Sequence, residues 1–205
     1  MANAVAKVAI LASGEGTNAE RLMRAAAEAA DVDIVWVGSN RASAGVLGRA
    51  ERLGVSCGTF NRSALQDGSV LRDLKMRGVD FVALAGFLMK VPDDLVSAFS
   101  GRMLNLHPSL LPAFGGHGMY GHHVHAAVAA ALAEGRVKET GITLHWVDAE
   151  YDTGPVFFQA AVALSPGEGP DTIAGKIQQL EGEHYATQVL RAVRESCSLP
   201  LSASD

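Results

Sequence analysis

Val5-Ala6-Lys7-Val8-Ala9-Ile10-Leu11 runs through Ser13-Gly14-Glu15-Gly16-Thr17-Asn18 into Asn18–Ala30, where Leu22, Met23 and Ala26 recur at helical spacing. A β-rich apolar run, a glycine-rich turn and an amphipathic helix together make a strand–turn–helix unit. The same alternation continues downstream. Ile34–Val37 is a second strand that stops at Gly38-Ser39-Asn40, with a helix near Ser43–Leu53. Val55–Phe60 is a third strand, Ser63–Arg77 one further helix, and Phe81–Leu84 a fourth strand ending in Ala85-Gly86-Phe87. Near-continuous apolar strands separated by helices imply a sheet buried on both faces, which is the parallel arrangement.

The second half adds a short helix after Pro92, a strand Met103–His107 and a Gly-rich stretch from Gly115 to Gly121. A helix around His125–Ala133, two β segments at Gly141–Val147 and Val156–Leu164, and a helix near Thr172–Arg194 follow; Ser196–Asp205 reads as a frayed tail. The fold class expected is α/β, a doubly wound, mostly parallel, Rossmann-like sheet flanked by helices.

Composition narrows the function. The 205 residues are 48% hydrophobic and 19% charged, enough apolar matter for one large core. A net charge of −5 leaves no basic excess to neutralise phosphates along a polymer or a membrane surface. Neither nucleic acid nor membrane is therefore expected as a partner. The basic groups Arg21/Arg24 and Arg72/Lys75/Arg77 read as solvated helix faces. Two cysteines far apart, Cys57 and Cys197, suit a reducing compartment, and the apolar run before Gly14 is too short for a signal-peptide core. Both point to a cytoplasmic location.

The turn after the first strand is where open α/β sheets bind anions, because glycines admit the ligand to the backbone and the helix start offers free N–H groups. The dinucleotide fingerprint would want a third glycine near Ala19 and an acidic residue after the second strand; neither is present, and the Walker A lysine is missing too. A cradle for one phosphate remains, built on Gly16, Thr17 and Asn18. A plain tight turn with Thr17 capping the helix stays open on these residues.

Met103-Leu104-Asn105-Leu106-His107-Pro108 carries the chemistry. Residues two apart in a strand share a face, so Asn105 and His107 are neighbours, an amide donor beside the side chain that titrates near neutrality. Prolines 108 and 112 stiffen the exit. Such a pair polarises or protonates a carbonyl, although it could also satisfy loose backbone groups. Downstream, Asp148-Ala149-Glu150-Tyr151-Asp152 crowds three carboxylates before the bend Thr153-Gly154-Pro155. An Asp152 beside His107 would raise the histidine's pKa; a solvated acidic loop is the other reading. His117, His122, His123 and His125 lack carboxylate or thiolate company and i, i+4 spacing on a helix face, so no metal site is expected.

Taken in this order, these motifs resemble the phosphoribosylglycinamide formyltransferases over roughly Val5 to Val193. The carrying residues are Ser13–Asn18, Leu84–Phe87, Asn105–Pro112, His123-Val124-His125 and Gly141–His145 continuing to Asp152–Pro155. The resemblance implies a single formyltransferase domain over 1–195, with a phosphate-binding half to 100, a catalytic and folate-binding half beyond, and a tail from 196. It implies transfer of the formyl group of 10-formyltetrahydrofolate, a co-substrate, to the amine of 5′-phosphoribosylglycinamide, without a metal. Catalysis would fall to Asn105, His107 and Asp152. The nucleotide would lie on Gly16, Thr17, Asn18 and Glu181, and the folate along Leu88, Met89, Lys90, Val91 and Asn105, beside the Asp148–Asp152 loop. The partners implied are these small molecules, with the chain a monomer or a homodimer.

The sequence also departs from that pattern. Phe114–His122 and Glu134–Thr140 are longer than in familiar members, leaving His117, Met119 and Tyr120 without a role. Met89 stands where an arginine is usual, with Lys90 as a substitute and Arg62 as a candidate for another folate contact. Methionyl-tRNA formyltransferase is similar around Ser109–Pro112 but is expected to need a basic C-terminal domain. A deformylase is expected to carry an N-terminal regulatory domain, and a non-catalytic ligand sensor would not need Asn105, His107 and Asp152 together.

Overall fold

The computed structural model describes residues 5–197. Fourteen elements alternate as the periodicities require: β1 Ala6–Ala12, α1 Thr17–Ala27, β2 Val32–Ser39, α2 Gly45–Arg52, β3 Cys57–Thr59, α3 Arg62–Gln66, α4 Ser69–Met76, β4 Phe81–Leu84, α5 Asp93–Ala98, β5 Met103–His107, α6 His122–Ala133, β6 Glu139–Trp146, β7 Val156–Ala163 and α7 Pro170–Cys197. The seven strands form one sheet in the order β3-β2-β1-β4-β5-β6-β7. Strands β1 to β5 are parallel, whereas β6 pairs antiparallel with both β5 and β7.

Alternation along β1 shows how the sheet is sandwiched. Val8, Ile10 and Ala12 face a core shared with α1, α2, α6 and α7, whereas Ala9 and Leu11 face one shared with α3, α4 and α5. All five are fully buried, so this strand has no polar face to show. Edge strand β7 is covered less, and its residues are exposed or half-buried, none fully buried.

Several boundaries differ from the sequence expectation. The helix expected over Ser63–Arg77 is two helices, because Gly68 takes a left-handed conformation (φ 76°) and re-caps the chain as α4. Helix α6 begins at His122, three residues early, so His122, His123 and His125 all lie in its first turn or so. Helix α7 runs on through Ser196 and Cys197, so these residues are not tail; residues 198–205 lie outside the described ones.

Strand order reverses at β1, which has β2 on one side and β4 on the other. In an open α/β sheet the loops leaving the strand ends splay apart at such a point and leave a crevice. The chain segments after β1, β4 and β5 all end there.

Candidate active site

A cleft of about 720 Å³ opens at this reversal point, within the size range of small-molecule sites. It is lined from both sides of residue 100, so the two expected halves share it. One end is the β1–α1 turn. Gly16 caps α1 in a left-handed conformation (φ 77°) with no side-chain hydrogen bond to the cap. Thr17 is thus the first helical residue and not its cap, and among the described residues no side-chain cap hydrogen bond closes the helix start. A Cβ on Gly16 would lie 2.5 Å from Val46 Cβ, so the turn can only be glycine. Ser13 braces the region: its hydroxyl donates to Asn40 Oδ1 (2.6 Å) and accepts from Leu88 N–H (3.0 Å).

Asn18 lines this end too. Its Nδ2 donates to Glu181 Oε2 at 2.8 Å, joining α1 to α7 across the cleft floor. Burial pushes the Glu181 carboxyl above its ordinary pKa, against the opposing pull of Asn18 and Arg21. Arg21 lines the cleft as well, correcting its reading as part of a solvated face; Arg24 remains on the surface, paired with Glu20.

The other end is built on the β5–β6 pairing. Antiparallel register places Asn105 opposite His145 and His107 opposite Thr143. Side chains directly opposite in such a pair share a face, so four polar residues gather in two rows. Thr143 Oγ1 donates to Ser109 O (2.6 Å) and accepts from Leu111 N–H (3.0 Å), which ties the proline-bounded exit to the sheet. Gln159 Nε2 adds hydrogen bonds to Leu111 O and Thr143 Oγ1.

The β6–β7 turn returns Asp152 onto this face. It is sharp because Gly154 passes against the backbone: a Cβ there would stand 1.8 Å from Trp146 O. Asp152, itself at φ 57°, sets Oδ2 3.3 Å from His107 Nδ1 and Oδ1 3.4 Å from His145 Nε2. The side chains of His107 and Asp152 are only 4% and 10% exposed, so little water screens them. Gly116 N–H donates to Asp152 Oδ2 at 2.9 Å.

Hydrogen bonding fixes the proton positions. His107 Nε2 faces the Phe114 carbonyl at 2.8 Å and donates to it, while Nδ1 faces the carboxylate. Both ring nitrogens thus meet acceptors, an arrangement complementary to the imidazolium. His145 Nδ1 donates to Trp146 O (3.0 Å), and its Nε2 lies 3.1 Å from Asn105 Nδ2 and 3.4 Å from Asp152 Oδ1. Asn105 Nδ2 also reaches Asp152 Oδ1 at 3.5 Å.

Electrostatics correct one expectation. Burial pushes the His107 pKa down; Asp152 and the Phe114 carbonyl push it up, but with the neighbouring His145 adding to burial the net shift is downward from 6.5. Removing the ring from water costs the charged form more than one carboxylate returns. For Asp152 itself burial works upward, yet His145, His107 and Gly116 N–H together hold the carboxyl below its ordinary range.

Leu88, Met89, Lys90 and Val91 line the wall after β4. Leu88 is exposed, whereas Val91 is largely buried in the core beneath. Lys90 Nζ forms an ion pair with Glu150 at 3.5 Å, bridging this wall to the acidic loop. Arg62 borders the same cleft. Of the histidine-rich stretch, His117 packs edge-on against Tyr151 and His123 against Tyr120. His125 is buried, and among the described residues its Nδ1 has no hydrogen-bond partner. Three contributors escaped sequence reasoning: His145, the Phe114 carbonyl and Arg21. Period-two alternation puts Thr143 and His145 on one face of β6, but only the register sets them opposite His107 and Asn105.

Residues 6–189 match the family model described as formyl transferase, and the chain belongs to that family. Its relatives narrow the kind. Phosphoribosylglycinamide formyltransferase of Bacillus subtilis is 33% identical over 190 residues, covering 89% of this chain and 92% of the relative. The chloroplastic phosphoribosylglycinamide formyltransferase of Arabidopsis thaliana is 35% identical, covering 92% of this chain; the chain spans 65% of that relative's length. Among solved structures, phosphoribosylglycinamide formyltransferase from Brucella melitensis superposes with a TM-score of 0.79 at 33% identity, over 97% of this chain and all of that one.

Proposed function

We propose that the chain transfers a formyl group from 10-formyltetrahydrofolate to the amine of 5′-phosphoribosylglycinamide, a step of purine biosynthesis. The observation that carries this reading is the pairing of Asn105, His107 and Asp152 at one end of a cleft whose other end is an α1 start with no side-chain cap. The 5′-phosphate rests on Gly16, Thr17 and Asn18, where N–H groups and the helix dipole favour an anion. Glu181 accepts from the ribose hydroxyls. The folate lies along Leu88–Val91 and the Asp148–Asp152 loop, with Lys90 and Arg62 near enough to the cleft to meet its anionic end.

The substrate amine attacks the formyl carbon, and negative charge gathers on the formyl oxygen. Asn105 and His107 are placed to donate to that oxygen, which takes over the Nε2–H now held by Phe114 O. Donors fixed before the charge develops need no reorganisation, and each is worth about 10²–10³-fold in rate. His107 then supplies a proton to the departing folate nitrogen. Asp152 steadies the imidazolium while it exists and accepts, through water, the proton that the amine gives up. His145 holds the Asn105 amide in register. Residues to 100 supply the phosphate cradle and residues 101–195 most of the acid–base groups. The partners are small molecules, and two free, distant thiols suit the reducing cytoplasm.

The test mixes purified protein with 5′-phosphoribosylglycinamide and 10-formyltetrahydrofolate and follows the absorbance of the folate product. Turnover that requires the nucleotide is the expected result. Formate release without the nucleotide, or binding of both ligands without turnover, would overturn the reading.

A further inference from the structure

Helix α7 carries a glycine, Gly182, in its interior, immediately after Glu181. Glycine is among the poorest residues for a helix interior, so its presence there calls for a packing reason. Arg21 supplies one. A Cβ on Gly182 would fall 2.9 Å from the Arg21 guanidinium carbon and its Nη2, and 3.1 Å from Nη1. The guanidinium therefore lies flat on the bare backbone of α7.

From that seat Arg21 Nη1 donates to Asn18 Oδ1 at 3.1 Å. Asn18 Nδ2 donates in turn to Glu181 Oε2 at 2.8 Å. Arg21, Asn18 and Glu181 form one chain of donors and acceptors at the nucleotide end of the cleft, and all three line it. The order fixes the Asn18 amide, since its oxygen is held by a cation and its nitrogen by a carboxylate. It also sets a positive charge near a half-buried carboxylate that burial alone would tend to protonate.

We infer that Arg21, seated on Gly182, is a positioning residue for the sugar of the nucleotide substrate: it holds Asn18, and through Asn18 it sets the Glu181 carboxyl to accept from the ribose diol. The inference rests on the proposed function for the substrate's identity, but its chemistry requires only a ribose phosphate. A protonated or turned Glu181 would offer a single acceptor where two neighbouring hydroxyls donate. The cost then falls on recognition of the diol, not on formyl transfer, because His107 and Asn105 belong to the other end.

The experiment titrates ribose 5-phosphate and 2-deoxyribose 5-phosphate by calorimetry into the full chain and into Arg21→Met and Gly182→Ala. The wild-type protein should favour the ribose form. Both variants should bind ribose 5-phosphate about tenfold more weakly, the lower end for losing a hydrogen bond to a charged group. Binding of the deoxy sugar should stay within about twofold. Gly182→Ala displaces only the flexible end of Arg21, and alanine favours the helix, so its melting temperature should equal or exceed the wild-type value. In turnover, KM for the nucleotide should rise while kcat holds, and Arg21→Lys should restore part of the loss. Equal weakening for both sugars, no weakening, or a wild type indifferent to the 2-hydroxyl would each overturn the inference. A wild type that discriminates between the sugars but never formylates the nucleotide would sink the proposed function alone.

Discussion

Replacing Asp152 with asparagine removes a charge and almost no volume from the centre of the site. Gly116 N–H and His107 Nδ1 both meet Oδ2, so an asparagine that keeps its oxygen there turns its amide toward His145 Nε2, and His107 faces a neutral acceptor in place of a charged one. A neutral acceptor favours the imidazolium far less than the carboxylate does. At 3.3 Å, with an effective dielectric of about 20, the lost attraction approaches 5 kcal/mol as an upper figure. The amide dipole and residual water return part of it, leaving about 2–3 kcal/mol at the transition state, or roughly two orders of magnitude in kcat. The sign for pH follows. Burial already holds His107 below 6.5, and Asp152 opposes that fall. With the imidazolium as the working form, activity declines as pH rises through the His107 pKa. Losing Asp152 lowers that pKa further, so the declining limb moves to lower pH. Steady-state rates from pH 5 to 9, with nucleotide binding measured alongside, give the answer. An unchanged kcat and an unmoved limb would show that Asp152 does not act through His107.

Other outcomes are expected from the same geometry. Gly16→Ala must place a Cβ against Val46 at a positive φ, so it should cost about 2–3 kcal/mol in urea unfolding and raise the nucleotide KM at least tenfold. Gly154→Ala collides with the Trp146 carbonyl and should misplace Asp152; it should lose activity beyond its loss of stability, read against unfolding midpoints. Burial holds both His107 and His125 below 6.5, so the unfolded chain takes up these protons first. Stability should therefore be level above the ordinary histidine range and fall as pH drops through 6.5, with a further loss in the carboxylate range as Asp152 protonates. A flat unfolding midpoint between pH 8 and 5 would contradict this.

What the sequence determined by itself was local and periodic. Apolar runs such as Val8–Leu11 and Phe81–Leu84 can only be strands buried on both faces, and the helix stripe Leu22, Met23, Ala26 needs a core to cover it. The βα alternation then forces a parallel sheet, and the Gly14–Gly16 turn and the Asn105–His107 pair fall at its strand ends. Spacing of two also guarantees that Asn105 and His107 share a face. Tertiary structure decided the rest, because it depends on contacts between residues far apart in the chain. The β5–β6 register set His145 against Asn105, residues 40 apart. The turn at Gly154 carried Asp152 to His107, which no spacing rule predicts. Burial, a property of the folded chain, reversed the expected direction of the His107 pKa. Arg21 reads in sequence as one more surface charge, and only the bare backbone of Gly182, 161 positions away, gives it a place beside Glu181.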